Sequence, residues 1–148
     1  MQSGRNKQSG HTLIETLLAL AIVALLATAG IQSWQQLMRS QRRAEGKTAL
    51  LALMQQQERH FSRYGRYQPF DSAAPGAFKW YSGATPTDSA YALSAVACAG
   101  ETVARCVKVV AQPGGAGVRS GFADPACGTL TLDSRGRQQA DGGVASCW

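Results

Sequence analysis

The sequence predicts an α+β protein: a long N-terminal α-helix, membrane-spanning in its first half, whose second half packs under a small four-stranded antiparallel sheet. Three observations predict it. Residues 16–38 form a run of 23 without Asp, Glu, Lys or Arg. Residues 32–63 are rich in Gln, Arg, Ala, Leu and Met, all good helix formers. From Tyr91 onward, short alternating runs are separated by turn residues.

A helix over residues 16–38 covers roughly 34 Å, enough to cross a hydrocarbon core. Its purely apolar centre, residues 17–27, is shorter, and Trp34 stands where an interfacial aromatic sits. The preceding segment, MQSGRNKQSG, is short, polar and basic, with Arg5 and Lys7. Positive charge on that side predicts a cytoplasmic N-terminus and a translocated remainder. GIQSWQQ, after the run, offers no good signal-peptidase site; Ser9 and Gly10 lie on the other side of it. Within this oily start sits one carboxylate, Glu15, and a charge at that depth is expensive enough to mark function.

Beyond Met38 the pattern becomes one-sided. Ala44, Leu50, Leu51, Met54 and Phe61 form an apolar stripe, and Arg42, Glu45, Gln56, Arg59, His60 and Arg63 face away from it. Arg43, Lys47 and Glu58 project on the apolar side, and Gly46 interrupts the helix at a cost of about 1 kcal/mol relative to Ala. Tyr64-Gly65 predicts the helix end with a glycine cap.

A Pro/Gly/Ser-rich connection, residues 66–90, leads to the sheet over 91–140. Strands are expected over 91–97, 106–111, 128–133 and 137–140, joined as a meander. The only partner for the apolar face of this sheet is the stripe on the helix. The first half of the helix is then left to a bilayer or to copies of itself. Gly114-Gly-Ala-Gly117 has no lysine and no following helix, so it is not a phosphate loop.

Charge and cysteines narrow the function classes. Net charge is +6, but residues 1–70 hold nine Lys/Arg against three acids, whereas 71–148 hold six of each. The basic excess belongs to the leader and helix, so a nucleic-acid partner is not favoured. The four cysteines, Cys98, Cys106, Cys127 and Cys147, all fall on the translocated side, where two disulfides with three connectivities can form. No CxxC pair and only two histidines argue against zinc, and no metal or other cofactor is expected. His60, beside Glu58 and Arg59, reads as a solvated helix face, so no catalytic residue and no enzyme activity are expected.

GHTLIETLLALAIVALLATAGIQSWQQLMRSQRRAEGK, from Gly10, resembles the start of type IV pilins: a basic leader ending in glycine, a Thr-Leu-hydrophobe-Glu register and a long apolar run. CGTLTLDSRGRQQADGGVASCW, at the other end, resembles PilE-like minor pilins. Two positions depart from the family pattern. His11 replaces the usual Phe, and Ile31-Gln32-Ser33-Trp34 lacks the helix proline.

The resemblance implies a leader over residues 1–10, a transmembrane and filament-core half over 11–38, an amphipathic half over 39–65 and a disulfide-bonded head over 66–148. It implies cleavage between Gly10 and His11 by a prepilin peptidase that also methylates the new amine. Glu15 then becomes the assembly carboxylate, drawing in the N-terminus of a neighbouring subunit, because pairing two charges in an oily setting lowers the cost of both. It implies a Cys127–Cys147 bridge closing a C-terminal loop over 127–147; Cys98–Cys106 is expected as a local staple between two strands. The implied protein is a structural minor pilin for twitching motility, adhesion or DNA uptake. It starts in the bacterial inner membrane and ends in an extracellular pilus. Its partners are other pilins, the peptidase and the assembly platform. Three alternatives stay open: a competence pilin with a basic patch at Arg119, Arg135 and Arg137, a type II secretion pseudopilin, and an uncleaved membrane-anchored periplasmic binding module.

Overall fold

The computed structural model describes residues 12–142 and 145–148, the side chains of 28–30, 32 and 146 excepted. The leader and the expected cleavage point, Gly10 and His11, lie outside these residues. One helix, α1 (Leu13–Tyr64), precedes four strands: β1 (Tyr91–Ala97), β2 (Val107–Pro113), β3 (Leu130–Asp133) and β4 (Gln138–Ala140). A single 3₁₀ turn, Ala145–Cys147, follows. The chain divides between Met38 and Arg39 into two units.

In the first unit, the large apolar side chains Leu13, Ile14, Leu17, Leu18, Leu20, Ile22, Val23, Leu25 and Leu26 are all at least half exposed. The sequence expectation of a membrane span is not met among the described residues: no helix there is long and apolar enough to cross a membrane. The run read as the span includes residues 28–30 and 32, whose side chains lie outside the described set.

In the second unit, the strands form an antiparallel meander in the order β1-β2-β3-β4. Period-two alternation places Tyr91, Leu93 and Ala95 of β1, Val107, Val109 and Ala111 of β2, and Leu130 and Leu132 of β3 on one buried face. Register puts Leu93 against Ala111, Ala95 against Val109 and Val109 against Leu132. The strands begin one to two residues later than the sequence pattern indicates at β2, β3 and β4. Cys106 closes a disulfide instead of opening β2, and Gly128 takes a positive φ of 60°.

The helix face that covers this sheet follows the apolar stripe only in part: Leu50 lies at its centre and Met54 and Phe61 at its margin. Gly46, Leu50, Leu53 and Gln57 are buried, spaced at four, three and four residues. Ala44 and Leu51, placed on the stripe by sequence, are exposed. Glycine and glutamine hold the centre of the face for reasons only the tertiary structure supplies. A Cβ on Gly46 would meet the Tyr91 ring. Gln57 satisfies the backbone of Gln68 on both sides, Nε2 donating to its carbonyl at 2.8 Å and Oε1 accepting from its N–H at 3.0 Å. A buried amide needs both bonds, and here it stands in for a strand.

The 66–90 connection lies along the outer side of β1, touching it through the bridges Phe70–Ala95 and Tyr81–Ala92. At the other edge, the indole Nε1 of Trp148 donates to the Gln139 carbonyl in β4 at 2.7 Å. The sulfurs join Cys98 to Cys106 and Cys127 to Cys147, with Cα separations of 5.4 and 5.7 Å.

Candidate functional site

At the beginning of α1, Thr12 caps the helix. Its carbonyl accepts from the N–H groups of Glu15 (3.0 Å) and Thr16 (3.3 Å), and its Oγ1 lies 3.4 Å from the Glu15 nitrogen. Thr12-x-x-Glu15 has capping-box spacing, and a carboxylate in the first turn complements the helix dipole. Glu15 therefore has a local role in starting the helix, legible as the T-x-x-E signature in the sequence.

Within the second unit, antiparallel order sends the β1–β2 loop and the β3–β4 turn out of one end of the sheet, and the β2–β3 connection out of the other. The end of α1 joins the first of these ends. Gly65, at φ 67°, donates to the Phe61 carbonyl at 2.8 Å and closes the helix as a left-handed cap. The chain then turns so that the Tyr67 N–H donates to the Val103 carbonyl (3.2 Å), inside the loop stapled by Cys98–Cys106. That loop in turn carries Glu101, which pairs with Arg135 at 2.6 Å. Helix end, disulfide loop and β3–β4 turn thus form one continuous edge.

The β3–β4 turn is held by Asp133, which accepts from the backbone N–H groups of Arg135 (3.0 Å) and Arg137 (2.9 Å) and from Arg137 Nε (2.7 Å). Burial pushes this carboxyl up, but those bonds and the Arg137 charge outweigh it and hold it below the usual carboxylate range. Tyr67 donates its hydroxyl to Glu58 at 2.9 Å, and burial pushes its phenol up.

Charge at this end is one-sided once the pairs are removed. Arg135 and Arg137 are engaged by Glu101 and Asp133. Among the described residues, Arg59, Arg63, Arg66 and Arg105 have no carboxylate partner. Against these four cations stands Glu58, already bonded to Tyr67. Two grooves open beside the helix end, sharing His60 and Tyr64 as a common wall. One, about 600 Å³, is bounded by Arg66, Pro69 and Val103; the other, about 460 Å³, by Arg59, Arg63 and Phe78.

At the opposite end, two of the helix arginines are tied to carboxylates. Arg43 grips Asp124 through two bonds of 2.7 Å, and Tyr91 donates its hydroxyl to the same carboxylate at 2.9 Å. Burial pushes the Asp124 carboxyl up, yet Arg43 and Tyr91 outweigh it and lower it below the usual range. Burial also pushes the Tyr91 phenol well above its ordinary value. Arg42 pairs with Glu45 at 3.0 Å. Arg119 lies in the β2–β3 connection, so the patch expected from Arg119, Arg135 and Arg137 is not one patch: the first belongs to the other end of the sheet.

Among the described residues, the group with metal-ligand proximity is Cys98, Cys106 and Asp133, and both of its sulfurs are consumed in a disulfide. The arginines of the helix end are visible in the sequence as a charged helix face. Their assembly with Tyr64, Val103 and Arg105 depends on the Tyr67–Val103 bond, for which the sequence carries no signal.

Residues 33–131 match the family model of the type IV minor pilin ComP, DNA uptake sequence receptor, and residues 5–31 match a prokaryotic N-terminal methylation motif. No curated protein matches the chain. Among solved structures, a type IV pilin from Shewanella oneidensis is 27% identical over 74% of this chain and 97% of its own, with a TM-score of 0.47. The non-core minor pilin PilV of Neisseria meningitidis is 22% identical over 74% of this chain and 93% of its own, with a TM-score of 0.46.

Proposed function

The chain belongs to the family of the type IV minor pilin ComP, DNA uptake sequence receptor, and from that premise we propose that its head binds DNA at the surface of a pilus. The observation that carries the reading is the set Arg59, Arg63, Arg66 and Arg105, gathered on one edge without carboxylate partners among the described residues. Guanidinium groups left unneutralised match phosphate oxygens in geometry and charge. Binding of this kind releases counterions, so affinity falls with salt at a log–log slope of about −0.9 per phosphate engaged.

The test is fluorescence anisotropy of labelled duplex DNA with the full-length protein in detergent micelles, over a salt series. Replacing all four arginines by Ala is expected to weaken binding and to flatten the salt slope by about three to four units. Arg119→Ala, at the other end of the sheet, is expected to change neither. Unchanged affinity in the fourfold variant would overturn the reading.

The N-terminal motif supports a second part of the proposal, its processing. Cleavage follows Gly10, the amine of His11 is methylated, and Glu15 sets subunit register in the filament. The exposed apolar side chains of the first unit rest in the inner membrane before assembly and against other pilin helices afterwards, where Ala19, Ala21, Ala24 and Ala27 permit close approach. The assembly platform moves the subunit between these settings. The N-terminal mass of protein sheared from the cell surface tests this: a chain beginning at methylated His11 is expected. A chain retaining residues 1–10 would instead favour an uncleaved membrane-anchored module.

A further inference from the structure

We propose that the Tyr64–His60 ring pair is a stacking platform for an unpaired nucleobase, so that the head holds single-stranded DNA ends in preference to closed duplex. The inference rests on DNA binding at this edge, proposed above, and adds the form of DNA that the edge selects.

Tyr64 is the last residue of α1, and it is 64% exposed. An exposed aromatic at a chain turn is ordinarily mobile, but this one is braced. The His60 ring lies 4.6 Å from it with a tilt of 38°. His60 approaches Phe78 at 6.0 Å, and Phe78 stacks on Phe70 at 5.1 Å and 14°. Four rings thus run from the surface into the core, where Phe70 and Phe78 are buried. His60 is fixed in turn by Nδ1, which donates to the Arg66 carbonyl at 2.9 Å. A preorganised ring loses little freedom when a ligand covers it.

The surroundings match a nucleotide in chemistry. The two grooves of about 600 and 460 Å³ flank the ring pair, and each is rimmed by arginine: Arg66 on one side, Arg59 and Arg63 on the other. A base stacked on Tyr64 leaves its flanking phosphates facing these guanidiniums. Inside a duplex both faces of a base are covered by its neighbours, and proteins reach only the edges through the grooves. A ring that offers a flat face therefore selects bases that are out of the stack, with little regard to sequence.

The experiment uses full-length protein in detergent micelles at one salt concentration. The probes are a blunt duplex of about 20 base pairs and the same duplex with an overhang of about five nucleotides carrying 2-aminopurine. The wild type is expected to bind the overhang about tenfold more tightly than the blunt form and to quench the 2-aminopurine. Tyr64→Leu is expected to abolish both the preference and the quenching while holding blunt-duplex affinity within about twofold. Tyr64→Phe, which keeps the ring, retains both effects and shows that the edge still folds. Equal wild-type affinity for the two probes, or a preference that survives Tyr64→Leu, would overturn the platform. Joint replacement of Arg59, Arg63, Arg66 and Arg105 by Ala separates the two claims. If it leaves both affinities unchanged while the overhang preference persists, phosphate binding at this edge is wrong and the platform stands. If the wild type binds neither probe, both are overturned.

Discussion

Gly46 and Tyr91 meet where α1 crosses the start of β1, and a Cβ on Gly46 would lie 2.9 Å from Cδ2 of the tyrosine ring. The ring has no room to withdraw, because it is fully buried and its hydroxyl is tied to Asp124. What reads in sequence as a helix interruption is the point of closest approach between helix and sheet. Gly46→Ala recovers about 1 kcal/mol of helix propensity, but overpacking costs about 1–3 kcal/mol, so a net loss of up to about 2 kcal/mol is expected. Near-UV circular dichroism melts measure it; a stabilised variant would show that the ring yields.

Arg43 and Asp124 join the helix to the loop that precedes Cys127. Asp124 has a fully buried side chain, and Arg43 leaves only 17% of its own exposed. Arg43→Ala strands a buried carboxylate and is expected to cost about 3–5 kcal/mol. Arg43→Met combined with Asp124→Leu removes both charges, and is expected to cost less than Arg43→Ala alone. A double variant no better than the single one would mean that the pair stabilises the fold beyond mutual neutralisation.

Acid should loosen the head through Asp124 and Asp133. Both are lowered in the folded protein from an ordinary value of 3.8. A lowered carboxyl contributes stability that is present above 3.8 and disappears as pH falls through the folded value. The melting midpoint is therefore expected to hold steady above about pH 5 and to drop below about pH 4. Asp133→Asn removes part of that acid dependence; a pH profile identical to wild type would assign it elsewhere.

Gln57 makes the opposite case to a simple hydrophobic rule. Replacing it by Leu puts a more apolar side chain on a buried helix face, yet leaves the N–H and carbonyl of Gln68 without partners. The expected cost is about 1–3 kcal/mol. Loss of amide protection at Gln68 by hydrogen exchange localises it; a gain in stability would refute the bracing role.

The helix end at Tyr64-Gly65 and the full span of β1 are legible because glycine capping and period-two alternation are local. The inner face of the sheet is equally plain, since each strand declares its own alternation. The covering face of the helix is legible only in part: Leu50 declares itself, whereas Gly46 and Gln57 gain their places from Tyr91 and Gln68, distant in sequence. The same limit governs the candidate site. Arg59 and Arg63 read as a solvated helix face, and Arg66 as the start of a loop, until Tyr67 docks on Val103 and brings Arg105 alongside. Arg119, similar in composition and exposure to Arg135, falls at the opposite end because the meander reverses between them.

Both margins of the sheet are shielded, one by Phe70 and Tyr81 bridging to β1, the other by the Trp148 indole on β4. An uncovered strand margin is a template for pairing with the next molecule, and crowding makes that pairing hard to reverse. In the proposed filament, heads held side by side are therefore expected to stay separate, and any lateral bundling is expected to draw on side chains instead of backbone ladders. Truncating Trp148 would expose β4 and turn a display surface into a seed for precipitation.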